Sequence, residues 1–149
     1  MFTSEKTQMA TQGKASYRNT PVDVKIVLSA LWATMLFVFA YVDIFGFFRA
    51  DILNAAIEGE VGSTGLAANQ VFFIAALIYI LLPSLMVVLS LVLTPRVNRI
   101  TNIAVSLFYA ATVLVSCIGE TWVYYLIGSA VEAVLLLAIA RTAWKWPRV

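Results

Sequence analysis

Four long apolar runs dominate this chain: Val24 to Phe48, Gln70 to Thr94, Ile100 to Ile118, and Thr121 to about Trp144. At a rise of ~1.5 Å per residue, a helix of roughly twenty residues crosses a hydrocarbon layer of about 30 Å, so each run is long enough to span a membrane. A soluble fold would have to leave much of this apolar surface in water. The chain is 62% hydrophobic and 12% charged, against about 45–50% and about 25% for soluble domains. The expected fold is therefore all-α, a four-transmembrane-helix bundle formed by residues 24–149.

Punctuation between the runs sets the connections. Residues 1–23 are polar and read as a flexible cytoplasmic tail, ending in Asn19-Thr20-Pro21-Val22-Asp23 as a helix start. The run that follows exceeds the roughly 7–15 residues of a signal core and reads as a retained span. Pro95 is expected to stop the second helix. Gly119 is expected to end the third with a positive φ, which makes helices three and four a tight hairpin. Between helices one and two, Ala50 to Glu58 sets Ile52, Leu53, Ala56 and Ile57 against Asp51, Asn54 and Glu58. That pattern predicts a short amphipathic outer helix, lying on the membrane or capping the bundle, with its apolar side on the helix ends. Gly59 to Gly65 behind it is expected to be mobile. The chain shows no internal repeat and no second domain.

Orientation follows from cations. With the amino terminus inside, Lys6, Lys14, Arg18, Lys25, Arg96, Arg99, Arg141, Lys145 and Arg148 fall on the inner side, and Arg49 alone on the outer. Nine against one predicts an N-in/C-in, multi-pass protein.

Two carboxyl groups lie within the spans, where an ionisable residue is by default a candidate functional site. Asp43 sits about 8 Å inside the outer boundary and Glu132 about 16 Å down, near the midplane. No Lys, Arg or His lies near Glu132 in any span, and desolvation favours the neutral acid, so Glu132 is expected to be protonated at rest. Tyr79 and Tyr109 lie at matching depth and can offer it hydrogen bonds. Pro83 has no N–H for the Tyr79 carbonyl, which is freed at that same level. The candidate polar, proton or ligand site is thus Glu132, Tyr79, Tyr109 and Asp43. The plainer reading gives Glu132 a gluing role between helices and lets Asp43 snorkel outward or meet Arg49.

Other residues read as structural. Ser29 and Ala33, Ser106 and Ala110, and Gly128 with Ser129 and Ala133 offer close-packing faces. Trp122, Tyr124, Tyr125, Trp144 and Trp146 flank the spans as interfacial belts. Cys117 has no partner for a disulfide and no neighbouring cation to activate it. Without histidine or paired cysteines, neither a metal site nor a cofactor is expected.

Several of these residues also carry a resemblance. Tyr124-Tyr125, Glu132 and Ala143-Trp144-Lys145-Trp146-Pro147, taken with Pro83, Arg96-Val97-Asn98-Arg99 and Asn102, make the chain resemble a family of small bacterial four-helix membrane proteins of unknown function. The resemblance runs from about Leu28 to Pro147, and it implies a bacterial inner-membrane location and a four-helix fold. That family's pattern has an acidic residue shortly before the helix-two proline, whereas Tyr79 to Leu82 offer none here. No role shared between such an acid and Glu132 carries over.

The first functional expectation is a non-enzymatic structural, accessory or oligomeric membrane component. The second is a proton- or cation-coupled small transporter, or a binder of lipophilic ligands, using Glu132. A lipid- or quinone-binding enzyme ranks last, because no nucleophile and base pair can be named. The expected partners are the lipid bilayer and further copies or a larger membrane complex, with no nucleic acid. Cysteine labels at Ser4 and near Arg148 should be protected from impermeant reagents outside intact cells, while one at Ser63 should react. Labelling of the tail from outside would overturn the N-in orientation.

Overall fold

A computed structural model of the protein describes residues 20–146. The tail up to residue 19, and the cations Lys6, Lys14, Arg18 and Arg148, lie outside the described residues. Asp23 opens the first helix, α1 (Val24–Gly46), by accepting the Lys25 N–H on its side chain at 2.8 Å, one of the orphan donors that a helix start leaves. A short helix, α2 (Ala50–Ile57), follows, then α3 (Gln70–Val92), α4 (Pro95–Ser116) and α5 (Val123–Trp144). Asn69 caps α3 in the same way, accepting the Phe72 N–H at 3.0 Å. Four of these helices, α1, α3, α4 and α5, are long and apolar enough to cross a membrane.

One boundary departs from expectation for a clear reason. Pro95 does stop the second spanning helix, but it also begins the third, which starts there and not at Ile100. A proline is favoured in the first turn, where its missing N–H is not needed and its φ is already helical. Asn98 therefore belongs to α4. At the other end of α4, Gly119 takes φ +82° as expected and turns the chain into α5.

Helix α1 packs against α3 and α5, α5 packs against α4, and α3 meets α4 more sparsely. Inward positions recur at steps of three, four and seven: Leu28, Trp32, Met35 and Val42 on α1, and Ser129, Glu132, Leu136, Ile139 and Ala143 on α5. This is the seam spacing of left-handed helix packing. The outward faces carry Phe37, Ile78, Leu85 and Val134, all exposed, as a lipid-facing surface requires.

The half of the bundle around the start of α1 and the end of α3 is closed by a buried polar network. Trp32 Nε1 donates to Asn102 Oδ1 at 2.7 Å, and Ser90 Oγ donates to the same oxygen at 3.2 Å. Asn102 Nδ2 donates to Asn98 Oδ1 at 2.6 Å and to the Asn98 carbonyl at 2.9 Å. Asn98 Nδ2 reaches the Ser90 carbonyl at 2.6 Å. Trp32, Ser90, Asn98 and Asn102 are all completely buried. Lys25 Nζ completes this end by donating to the Leu91 and Leu93 carbonyls at 3.1 and 2.8 Å, where the last turn of α3 lacks helical partners.

The opposite, loop end is joined by an ionic clasp. Arg49 holds Asp51 at 2.7 Å and Glu120 at 2.9 Å, with its guanidinium 4.7 Å above the Trp122 ring. The Asp51 hydrogen bond, above all, stabilises the charged guanidinium, and the Arg49 pairing lowers the Asp51 carboxyl below its ordinary value. Burial pushes Glu120 upward, but the Trp122 and Thr121 N–H groups and Arg49 together bring it below its ordinary value. The clasp ties the end of α1 to the α4–α5 turn.

The connection between α1 and α3 differs from its expected form in the placing of α2. Helix α2 forms, but none of its residues is buried, and Leu53 and Ile57 are exposed instead of resting on the bundle. Its packing partner is the short 3₁₀ turn Gly62–Thr64. Behind α2 the chain folds back on itself, with Val61 N–H donating to the Leu66 carbonyl and Ala68 N–H to the Gly59 carbonyl, both at 2.8 Å.

The network makes a prediction whose sign opposes simple hydropathy. Asn102→Leu adds an apolar side chain to a membrane helix, yet it leaves the Trp32 N–H, the Ser90 hydroxyl and Asn98 Oδ1 short of partners. Unfolding in mixed micelles should show a loss of about 1–3 kcal/mol. A variant as stable as the parent would show that the network contributes no net stability.

Candidate functional site

The loop half of the bundle is hollow. A half-open cavity of about 300 Å³ draws residues from all four spanning helices. Phe39, Val42 and Asp43 come from α1, Tyr79 from α3, Thr112, Val113 and Ser116 from α4, and Tyr125, Ser129 and Glu132 from α5.

Glu132 occupies an inward seam position one turn beyond Ser129, so the register that buries Leu136 and Ile139 also buries the carboxyl group. The residue is 3% exposed, and its Oε1 has no hydrogen-bond partner. Buried polar atoms are nearly always paired, so Glu132 Oε1 is an exception to the rule that the rest of the cavity wall follows. No basic side chain lines the cavity.

The tyrosines are engaged elsewhere. Pro83 lies inside α3 and frees the Tyr79 carbonyl, and the Tyr109 hydroxyl donates to that carbonyl. Thr112 Oγ1 donates to the Tyr109 carbonyl at 2.9 Å. With that hydrogen committed, the Tyr79 hydroxyl is the donor in its 2.6 Å contact with Thr112 Oγ1. The two phenol rings lie 4.7 Å apart, and Trp32 meets Tyr109 edge-on at 6.4 Å. Tyr79 thus lines the cavity beside Glu132, whereas Tyr109 stands behind it, against Pro83, and neither hydroxyl reaches Glu132.

Asp43 does not pair with Arg49, whose donors go to Asp51 and Glu120. It lies on the cavity wall with Glu132 and is exposed. By helix rise Asp43 is about 5 Å from the end of α1 and Glu132 about 14 Å from the start of α5, so the two carboxyls mark the shallow and deep parts of one space. The small residue Gly128, one turn before Glu132, lets α1 come close, since a Cβ there would collide with Val42.

A match to a family model covers residues 20–148. The chain belongs to the family of unknown function DUF6326. Its four helices of membrane-spanning length and composition agree with the four-helix fold that the resemblance drawn from its motifs implies. No curated protein and no solved structure matches the chain.

Sequence reasoning missed Thr112, Ser116, Tyr125 and Ser129 as parts of the wall, and the Trp32–Asn102 network as a unit. A usable signal for the α4 residues was the polar stripe Asn98, Asn102, Ser106, Tyr109, Thr112 and Ser116, which recurs at helical spacing once the helix is started at Pro95. Tyr125 reads as an interfacial aromatic by position and carried no such signal.

The Pro83–Tyr109 contact can be tested by a double-mutant cycle. Tyr109→Phe should cost about 1–2 kcal/mol, because it strands the Tyr79 carbonyl. In a Pro83→Ala background the same change should cost less, since the alanine backbone supplies the missing N–H. Equal costs in both backgrounds would show that the hydroxyl does not stand in for that N–H.

Proposed function

We propose that this protein is a non-enzymatic, multi-pass inner-membrane protein of bacteria that takes up and releases a proton or small cation at Glu132. One observation carries the reading. A carboxyl group only 3% exposed, with an unpaired oxygen, borders a half-open cavity that a second carboxyl shares. A gluing role would use that oxygen in a bond between helices, and here it makes none.

The remaining choices follow from the chain's own chemistry. The nine-to-one distribution of cations supports both termini in the cytoplasm, so the cavity mouth faces outward. Four helices are few for alternating access, which favours a homo-oligomer as the working form. The Thr112, Ser116 and Tyr79 hydroxyls of the wall are bonded to groups other than Asp43 and Glu132, so binding and exchange suit the cavity better than bond-making. A purely structural accessory role is the competing reading.

Glu132→Gln separates the two. The variant should fold normally, because a neutral amide replaces a neutral acid, and it should abolish pH-dependent flux or proton uptake in proteoliposomes. Parent and variant proteins alike in stability and in every pH-dependent signal would leave only the accessory role.

A further inference from the structure

We propose that the cavity binds a protonated primary amine carrying a small apolar or aromatic body, and exchanges it for the Glu132 proton. The inference rests on the reading of Glu132 as an exchangeable proton site and names its ligand class.

The wall carries two carboxyl groups and no basic side chain. Asp43 and Glu132 contribute carboxyl oxygens. Thr112 Oγ1 and Ser116 Oγ have committed their hydrogens to the Tyr109 and Val113 carbonyls at 2.9 and 2.8 Å, so each turns only lone pairs elsewhere. The Tyr79 hydroxyl hydrogen is committed to Thr112. The Tyr125 and Ser129 hydroxyls can donate as well as accept, so it is the pair of carboxyl groups, with no basic side chain beside them, that disfavours an anion and suits an ammonium group.

Size and wall chemistry then separate an organic ammonium from a metal ion. The volume of about 300 Å³ lies at the lower end for small-molecule pockets and far exceeds a bare ion. Phe39, Tyr79 and Tyr125 line it with aromatic rings, and Val42 and Val113 with apolar groups. Aromatic faces attract organic cations, whereas a hard metal ion requires a shell of oxygens. The shallow Asp43 meets the ammonium first, and the deeper Glu132 carboxyl group receives it.

The exchange balances without a further reactant. The ammonium R-NH₃⁺ enters, Glu132 releases its proton to solution, and the carboxylate pairs with the bound ammonium, leaving the net charge of the site unchanged. The groups facing Glu132 across the cavity are Asp43 from α1, Tyr79 from α3 and Tyr125 from its own helix, with the Tyr109 hydroxyl of α4 turned to the Tyr79 carbonyl. None of them is a cation that would hold Glu132 ionised beforehand.

Benzylamine is a suitable probe, with benzyl alcohol as its uncharged counterpart. Calorimetric titration of the detergent-solubilised full chain, in two buffers of different protonation enthalpy, should show saturable benzylamine binding with about one proton released per ligand. Affinity should rise by up to about tenfold per pH unit while Glu132 is protonated. Glu132→Gln should weaken binding by more than about tenfold, and Tyr125→Leu should weaken it while leaving proton release intact. Equal binding of benzyl alcohol, competition by sodium at matched concentration, or no saturable binding by the parent would each overturn the ligand class. Difference infrared spectra of the Glu132 acid band keep the two readings apart. A band that titrates without benzylamine binding removes only the amine, and one that never titrates removes the proton site beneath it.

Discussion

A single N–H group organises the closed half of this protein. Trp32 has one donor and no acceptor, so Asn102 must present its oxygen to it. That choice turns the Asn102 amide nitrogen to Asn98, which in turn commits its own nitrogen to the Ser90 carbonyl. The orientation of both amides and the relative placing of α1, α3 and α4 thus follow from one tryptophan. Around this network the half-bundle is closely packed, with Leu28, Met86, Leu136 and Ile139 fully buried. The hollow half begins where the network stops.

Hydrocarbon makes unpaired polar groups expensive, and the chain shows how strictly that condition is met. Proline removes a backbone donor from α3, and a tyrosine hydroxyl from α4 takes its place at once. The last carbonyls of α3 receive a lysine. Against that background two buried side-chain atoms among the described residues lack a hydrogen-bond partner, Arg99 Nε, whose guanidinium lies over the Trp144 ring, and Glu132 Oε1, whose residue borders the cavity. The contrast within one molecule, more than the presence of a carboxyl group, is what singles out the cavity.

The legibility of these features in the sequence follows their physics. Span number, the Gly119 turn and the depth match between Glu132, Tyr79 and the freed carbonyl are all readable, because length and rise fix depth. Azimuth is not. Helix α5 is apolar on every side, so no stripe tells which face Glu132 shares. Reading Pro95 as an end alone hides Asn98 from the helix, and the network with it. Spacing along the chain allows Asp43 to meet Arg49, but Asp51 is nearer and Glu120 sits at the same loop end, and the guanidinium donors go to those two. The apolar side of α2 misleads in another way, because a pattern names a face without naming what covers it.

Gly128 has a mechanical corollary. With no side chain there, Val42 seats into α5 as a tooth into a notch, one turn from Glu132, and neither α1 nor α5 can rotate or slide without unseating it. Helix α4 is bound to α5 along the hairpin. That leaves α3 as the compliant wall of the cavity. It is pinned where Lys25 and Asn98 grip its last turn, and at mid-depth it is held to α4 by the Tyr79 and Tyr109 hydroxyls. Any change in cavity width is therefore a swing of α3 about its far end, with two phenolic hydrogen bonds as the latch.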